Sequence, residues 1–227
     1  EPGRKVRRPR PRRARRTPPE AMREIRRSWP RCCSISATMS YPQVKEQTGI
    51  ALDQGLTPLE IREAIYQTAS YAGYQKAINA MAYADEMFAE RGIEIPLESQ
   101  ATVTDEDRYE KGLEAQRAIF GPDFAAITED MSESMKRRVS YVSEFSFGDF
   151  MTRTGLDEAE RELIVLCVIA SLGGADSQLS GHAAGSLAAG DELLAAVLLC
   201  MPYNGFPRGL NAYATVNDAI LQAEQNG

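Results

Sequence analysis

A block of sequence occurs twice in this chain of 227 residues, and that repeat limits the available folds more than any other feature. Gln43-Val-Lys-Glu-Gln47 matches Gln178-Leu-Ser-Gly-His182 at an offset of 135, and the match runs on through Leu52/Leu187 and Gly55/Gly190. Past a three-residue deletion the offset is 132, pairing Ile61 with Leu193, Ala64 with Ala196, Tyr71 with Tyr203, Gly73 with Gly205, Tyr74 with Phe206 and Asn79 with Asn211. The deletion reads as falling inside a helical stretch, where three residues approximate one turn of about 3.6 and leave the same face inward. The second copy is preceded by a segment from 105 to 175 that has no counterpart in the first. Residues 41 to 92 are therefore expected to be the back half of a fold unit, in a chain cut short at its front.

Both copies carry helix signals, and nothing alternates as a strand would. Thr57-Pro58-Leu59-Glu60 predicts an N-cap, a first-turn proline and a capping-box glutamate, opening a helix to about Ser70. A second helix is predicted from about Gln75 to Arg91, with Gly92 as its stop. Asp157-Glu-Ala-Glu160 caps a helix whose run Leu163 to Ala170 is apolar on every side, as a helix at the centre of a bundle would be. Further helices are predicted near 105–120, 124–147, 176–189, 191–201 and 208–224, with glycines at the breaks. The fold class is all-α.

Charge divides the chain. Residues 1–31 hold Lys5 and twelve arginines against three acids, a net of +10, while the remainder carries −16. Six of the twelve prolines also lie in that segment, so neither a helix nor an apolar face is expected there. Because these residues stand where the front helices of a first unit belong, they read as a replacement for missing sequence, with Met39 as a credible start. Nucleic acid is accordingly not among the expected partners. The longest apolar run is too short for a membrane span of roughly 20 residues, and no export signal is visible. Cys32, Cys33, Cys167 and Cys200 show no CxxC spacing, and two sit in apolar runs; the expected setting is reducing and cytoplasmic.

His182 is the one histidine of the chain. Gln178 lies four residues before it, a spacing that shares a helix face. Gly173-Gly174 lets the preceding helix turn back, bringing Glu162 toward that face. An imidazole exchanges a proton near neutral pH, and a carboxylate fixes its tautomer or takes up its charge. His182, Gln178 and Glu162 are thus the candidate catalytic residues. A plainer reading stands beside them: a partly buried histidine satisfied by a backbone carbonyl, and an acid favouring the positive end of its helix. The first copy has Gln47 at the position of His182, so a reaction that needs an imidazole runs in the second copy alone. Tyr203-Asn-Gly-Phe-Pro-Arg208 and Tyr71-Ala-Gly-Tyr-Gln-Lys76 each set aromatics and one cation about a glycine break. Arg208 and Lys76 open helices where the macrodipole does not favour a cation. That makes Arg208 a candidate anion contact and Tyr203 a candidate substrate contact, although Tyr203 and Phe206 are also expected to pack a helix corner.

The second copy, with Arg161-Glu162-Leu163-Ile164, Leu172-Gly-Gly, Gln178-Leu-Ser-Gly-His182, Gly190 and Tyr203-Asn-Gly-Phe-Pro-Arg-Gly-Leu-Asn211-Ala212, resembles the carboxymuconolactone decarboxylase family. Arg108-Tyr109-Glu-Lys-Gly112 with Arg117-Ala-Ile-Phe-Gly121 is similar to that family's opening helix. The resemblance covers 105–224 fully and 41–92 in part, as in a tandem two-unit member with an incomplete first unit. It implies an alkylhydroperoxidase D-like helical bundle, divided into a basic segment (1–40), a partial unit (41–100) and a complete unit (101–227). It also implies a small-molecule substrate, no cofactor, and assembly as a homo-oligomer, trimeric or hexameric.

Two activities follow from the resemblance. One is the carboxy-lyase of aromatic catabolism, which converts 4-carboxymuconolactone to an enol-lactone. The other is a peroxiredoxin-type alkylhydroperoxidase, whose CxxC lies seven and four residues ahead of the histidine. Those positions are Ala175 and Gln178 here, which disfavours a thiol mechanism. The decarboxylase branch usually has Glu where Gln178 stands, and an amide transfers no proton at pH 7. What carries over is cofactor-free decarboxylation or proton transfer on a small cyclic or aromatic-derived acid or lactone, with a non-catalytic helical assembly as a further reading.

Overall fold

The computed structural model describes residues 37–121, 131–186 and 190–226, and every regular element among them is helical. The first copy forms α1 (Tyr41–Asp53), α2 (Pro58–Gln67), the short α3 (Ala69–Ala72) and α4 (Tyr74–Glu90). A connection without helix leads to α5 (Arg108–Phe120) and α6 (Glu133–Val142), which runs directly into a π-helix (Ser143–Met151). Then come α7 (Glu158–Leu172), α8 (Asp176–Gly185), α9 (Gly190–Asn204) and α10 (Phe206–Asn226). The aligned blocks thus fold in the same order: α1 with α8, α2 and α3 with α9, α4 with α10. Expectations for residues 1–36, including Cys32 and Cys33, lie outside the described residues.

Both capping boxes form. The Thr57 hydroxyl accepts from the Glu60 amide at 3.2 Å while the Glu60 carboxylate accepts from the Thr57 amide at 2.7 Å. Asp157 and Glu160 repeat the exchange at 2.8 and 2.9 Å, starting α7. Two expectations need correction. The helix expected to run to Ser70 breaks after Gln67, where the Thr68 hydroxyl donates to the Ile65 carbonyl at 2.7 Å and competes with the helical ladder. The segment expected as one α-helix to 147 changes at Ser143 to a π-helix. As expected, the deletion between the copies falls in a helical stretch: α1 has 13 residues and its counterpart α8 has 10.

Residues Arg161 to Ser171 of α7 are all buried, as the all-round apolar run predicts. The helix serves two cores. Leu163, Val165, Leu166, Cys167 and Ile169 pack with Ala196, Val197, Ala212 and Val216 of the second copy. Ile164 and Val168 pack with Val44, Ile61, Ile65, Ala80 and Phe88 of the first. Across the bundle α5 lies directly on the π-helix: a Cβ at Gly112 would collide with the Ser143 carbonyl, and one at Gly148 with the Arg108 carbonyl. Glycine is needed at both positions for the backbones to approach. No described helix is long and apolar enough to cross a membrane.

Candidate functional site

The turn expected at Gly173-Gly174 forms with φ of +69° and +71°, a conformation glycine adopts without steric cost. It sends α8 back along α7. Buried residues of α8 are Leu179, His182 and Ala183, a stripe at helical spacing. This places the His182 imidazole, 6 % exposed, over the start of α7, where Glu162 is 1 % exposed. His182 Nδ1 and Glu162 Oε2 are 2.9 Å apart. An ionised carboxylate only accepts, so the proton of this bond lies on Nδ1 and Nε2 is the acceptor nitrogen of the neutral ring. Glu162 Oε1 is buried without a hydrogen-bond partner, so the carboxylate is directed wholly at the imidazole. Glu162, the fifth residue of α7 and buried, is therefore no surface complement to the helix dipole.

Aromatic rings complete the surroundings. Tyr71 and Phe120 both meet the imidazole edge-on, with centroids 5.4 Å away. The Tyr71 hydroxyl is 3.4 Å from Nε2. Burial, and after it the Glu162 carboxylate, pushes the Tyr71 phenol well above its ordinary range, opposed by a hydrogen bond with Ser146 of the π-helix. Phe147 of the same π-helix stacks edge-on against Phe120 at 5.9 Å.

The other sequence-derived candidates lie elsewhere. Gln178 is exposed, and its amide oxygen accepts from Ser177 Oγ at 2.9 Å. Although it is four residues from His182, it directly precedes Leu179 and is turned about 100° from the buried stripe at that point. Among the described residues, the hydrogen bonds of His182 go to Glu162 and Tyr71. Arg208 Nη1 donates to the Ser171 carbonyl at 2.7 Å, near the end of α7. With Gly173, Gly174, Asp176, Leu179 and Asn211 it lines a cleft of about 430 Å³. Leu179 is part of the cleft wall, and His182, outside that lining, follows three residues, roughly 4.5 Å, further along α8. Tyr203 is half-buried against the core of the first copy. Phe206 does not pack the corner: as the first residue of α10 it is 72 % exposed.

Sequence reasoning missed Tyr71 as a neighbour of His182, although its alignment with Tyr203 had marked the position. It also missed a charged cluster between the copies. Glu63 of α2 is fully buried and accepts from Arg153 Nε at 2.7 Å and Nη2 at 2.9 Å. Arg161 Nη2 at 3.4 Å and Arg62 Nη2 at 3.2 Å complete its shell. Arg161 also donates to Gln67 Oε1 and to the carbonyls of Arg153 and Thr154. Among the described residues no group of three or more His, Cys, Asp or Glu side chains is placed to hold a metal ion.

This geometry coincides with relationships to known proteins. A 4-carboxymuconolactone decarboxylase from Acinetobacter baylyi is 29% identical over 109 residues, 46% of this chain and 81% of that protein. The model of the carboxymuconolactone decarboxylase family matches residues 34–86 and 139–218, so that each copy of the repeat carries one matched segment. Two separate matches on one all-helical chain, the second spanning Glu162 and His182, place the chain in the carboxymuconolactone decarboxylase family.

Proposed function

We propose that the protein is a cofactor-free enzyme acting on a small cyclic or aromatic-derived carboxylic acid or lactone, by decarboxylation or by proton transfer at carbon. The observation that carries this reading is the buried Glu162–His182 pair at 2.9 Å. A carboxylate on Nδ1 fixes the tautomer and stabilises the imidazolium, leaving Nε2 to give and take the proton. In decarboxylation the bond between the carboxylate and the ring carbon breaks and carbon dioxide leaves. The electron pair passes to the adjacent acyl oxygen, and the carbon then receives a proton from Nε2 of the imidazolium, which a proton from water restores for the next turnover. Proton transfer alone uses the same nitrogen.

Arg208 at the edge of the neighbouring cleft is the cation suited to the substrate carboxylate, and Tyr203 remains a proposed contact nearby in sequence. Gln178, exposed beside the cleft wall, is proposed as an orienting amide rather than a proton carrier. A peroxidase reading draws no support from Cys167 or Cys200, both buried in the second core.

The test is turnover of 4-carboxymuconolactone and related cyclic acids by wild type and His182→Ala. Loss of turnover by about 10²-fold or more in the variant is expected for a group acting in general acid–base catalysis. Equal rates in both, or no turnover of any acid in the panel, would count against the reading.

A further inference from the structure

Tyr71 belongs to the first copy of the repeat and His182 to the second, yet the phenol stands at the one ring nitrogen that Glu162 leaves open. We propose that Tyr71 is a positioning residue for His182, its hydroxyl holding Nε2 in either protonation state of the ring until a substrate takes that place. The first copy, which has Gln47 at the position of its own histidine, thereby supplies a group to the site of the second. The inference rests on the reading of His182 as the proton carrier.

A phenol has one hydrogen and two lone pairs, so it can serve either side of a proton transfer. Against the neutral ring, the Tyr71 hydroxyl donates to Nε2 and accepts from Ser146. Against the imidazolium, Nε2–H donates to the Tyr71 oxygen, and the phenolic hydrogen turns to Ser146. Rotations about the C–O bonds of Tyr71 and Ser146 separate the two arrangements. Ser146 is buried on the π-helix and its hydrogen bond with Tyr71 opposes the upward drift of the phenol. The groups facing the imidazole are Glu162 from α7, Tyr71 from α3 and Phe120 from α5. The 3.4 Å separation is at the long end of hydrogen bonding, as unliganded catalytic contacts often are. Tyr71 also packs against both cores, so its ring has a structural seat that does not depend on the hydroxyl.

A single histidine makes the test direct, because the full chain labelled with ¹⁵N-histidine gives one pair of imidazole nitrogens. With the ring neutral, wild type is expected to show the proton on Nδ1 and a hydrogen-bonded Nε2. Tyr71→Phe, which keeps the ring and removes the hydroxyl, is expected to move the Nε2 resonance downfield to the position of an unbonded acceptor while Nδ1 stays in place. Tyr203→Phe, the equivalent change in the other copy, is expected to move neither. An unmoved Nε2 in folded Tyr71→Phe overturns the proposal. So does a wild-type Nε2 already at the unbonded position, a reading that holds even if the variant fails to fold. Turnover indifferent to His182 would instead sink the proton-carrier reading and leave the resonance shift intact, so the two failures are distinguishable.

Discussion

Lys76 and Arg208 perform the same task in the two copies of the repeat. Lys76 Nζ donates to the Ala37 carbonyl at 3.1 Å, and Arg208 Nη1 donates to the Ser171 carbonyl at 2.7 Å. Each cation opens the last helix of its copy and reaches back to a main-chain oxygen, and the two oxygens lie within one residue of the 135 offset. For Arg208 that oxygen belongs to the last turn of α7, where a cation is favoured. Arg208 therefore has a structural partner as well as a place on the cleft. Arg208→Ala is expected to lower the free energy of unfolding in urea by about 1 kcal/mol, the usual worth of one such bond. Unchanged stability would show that the carbonyl contact contributes nothing.

Glu63 predicts how stability responds to acid. Burial is the largest influence and pushes its carboxyl up, but the hydrogen bond and charge of Arg153, with the charges of Arg161 and Arg62, outweigh it and hold the carboxyl below its ordinary value. A folded-state value below the unfolded one means that ionised Glu63 adds stability above the ordinary value of 4.5 and loses it as pH falls through the folded value. Urea midpoints are expected to fall below that pH, with part of the slope missing in Glu63→Gln. At neutral pH the variant is expected to be less stable by about 3–5 kcal/mol, since the buried Arg62 and Arg161 and the half-buried Arg153 lose their shared partner.

Glu162→Ala leaves Nδ1–H without an acceptor in a buried position. The expected cost is about 1–3 kcal/mol of stability, with turnover reduced nearly as far as in His182→Ala. Glu162→Gln keeps an acceptor oxygen without the charge and should fall between them. Turnover in the alanine variant equal to wild type would detach Glu162 from the chemistry.

Gly112→Ala should be far more damaging than Gly174→Ala. The first places a methyl group into the backbone of the π-helix, while the second meets open space and strains only its own dihedral. Overpacking of this kind costs about 1–3 kcal/mol or more, and thermal melts of the two variants give the comparison.

The capping residues of α2 and α7, the apolar run of α7 and the glycine breaks were legible because each is a local signal. The Glu162–His182 approach was legible too, since a sharp turn between two helices leaves few places for residues 20 apart. The π-helix was not, because Ser143 to Met151 carries no local signal for it and its backbone is met closely by α5, where Gly112 abuts Ser143 and Arg108 abuts Gly148. Tyr71 and Glu63 escaped notice for a related reason. Their partners lie 111 and 90 residues away, and only the docking of one copy on the other brings them together. Gln178 shows the converse error, in which a shared face inferred from spacing does not decide which of two side chains the neighbouring helix covers.

Because α7 gives Ile164 and Val168 to one core and Leu163, Leu166 and Ile169 to the other, it works as a party wall between two rooms. Heat has no seam along which to part them. Loosening either side strips cover from the other, so scanning calorimetry is expected to record one endotherm for both copies. A fragment ending near residue 100 would leave the first core open on the side that α7 closes.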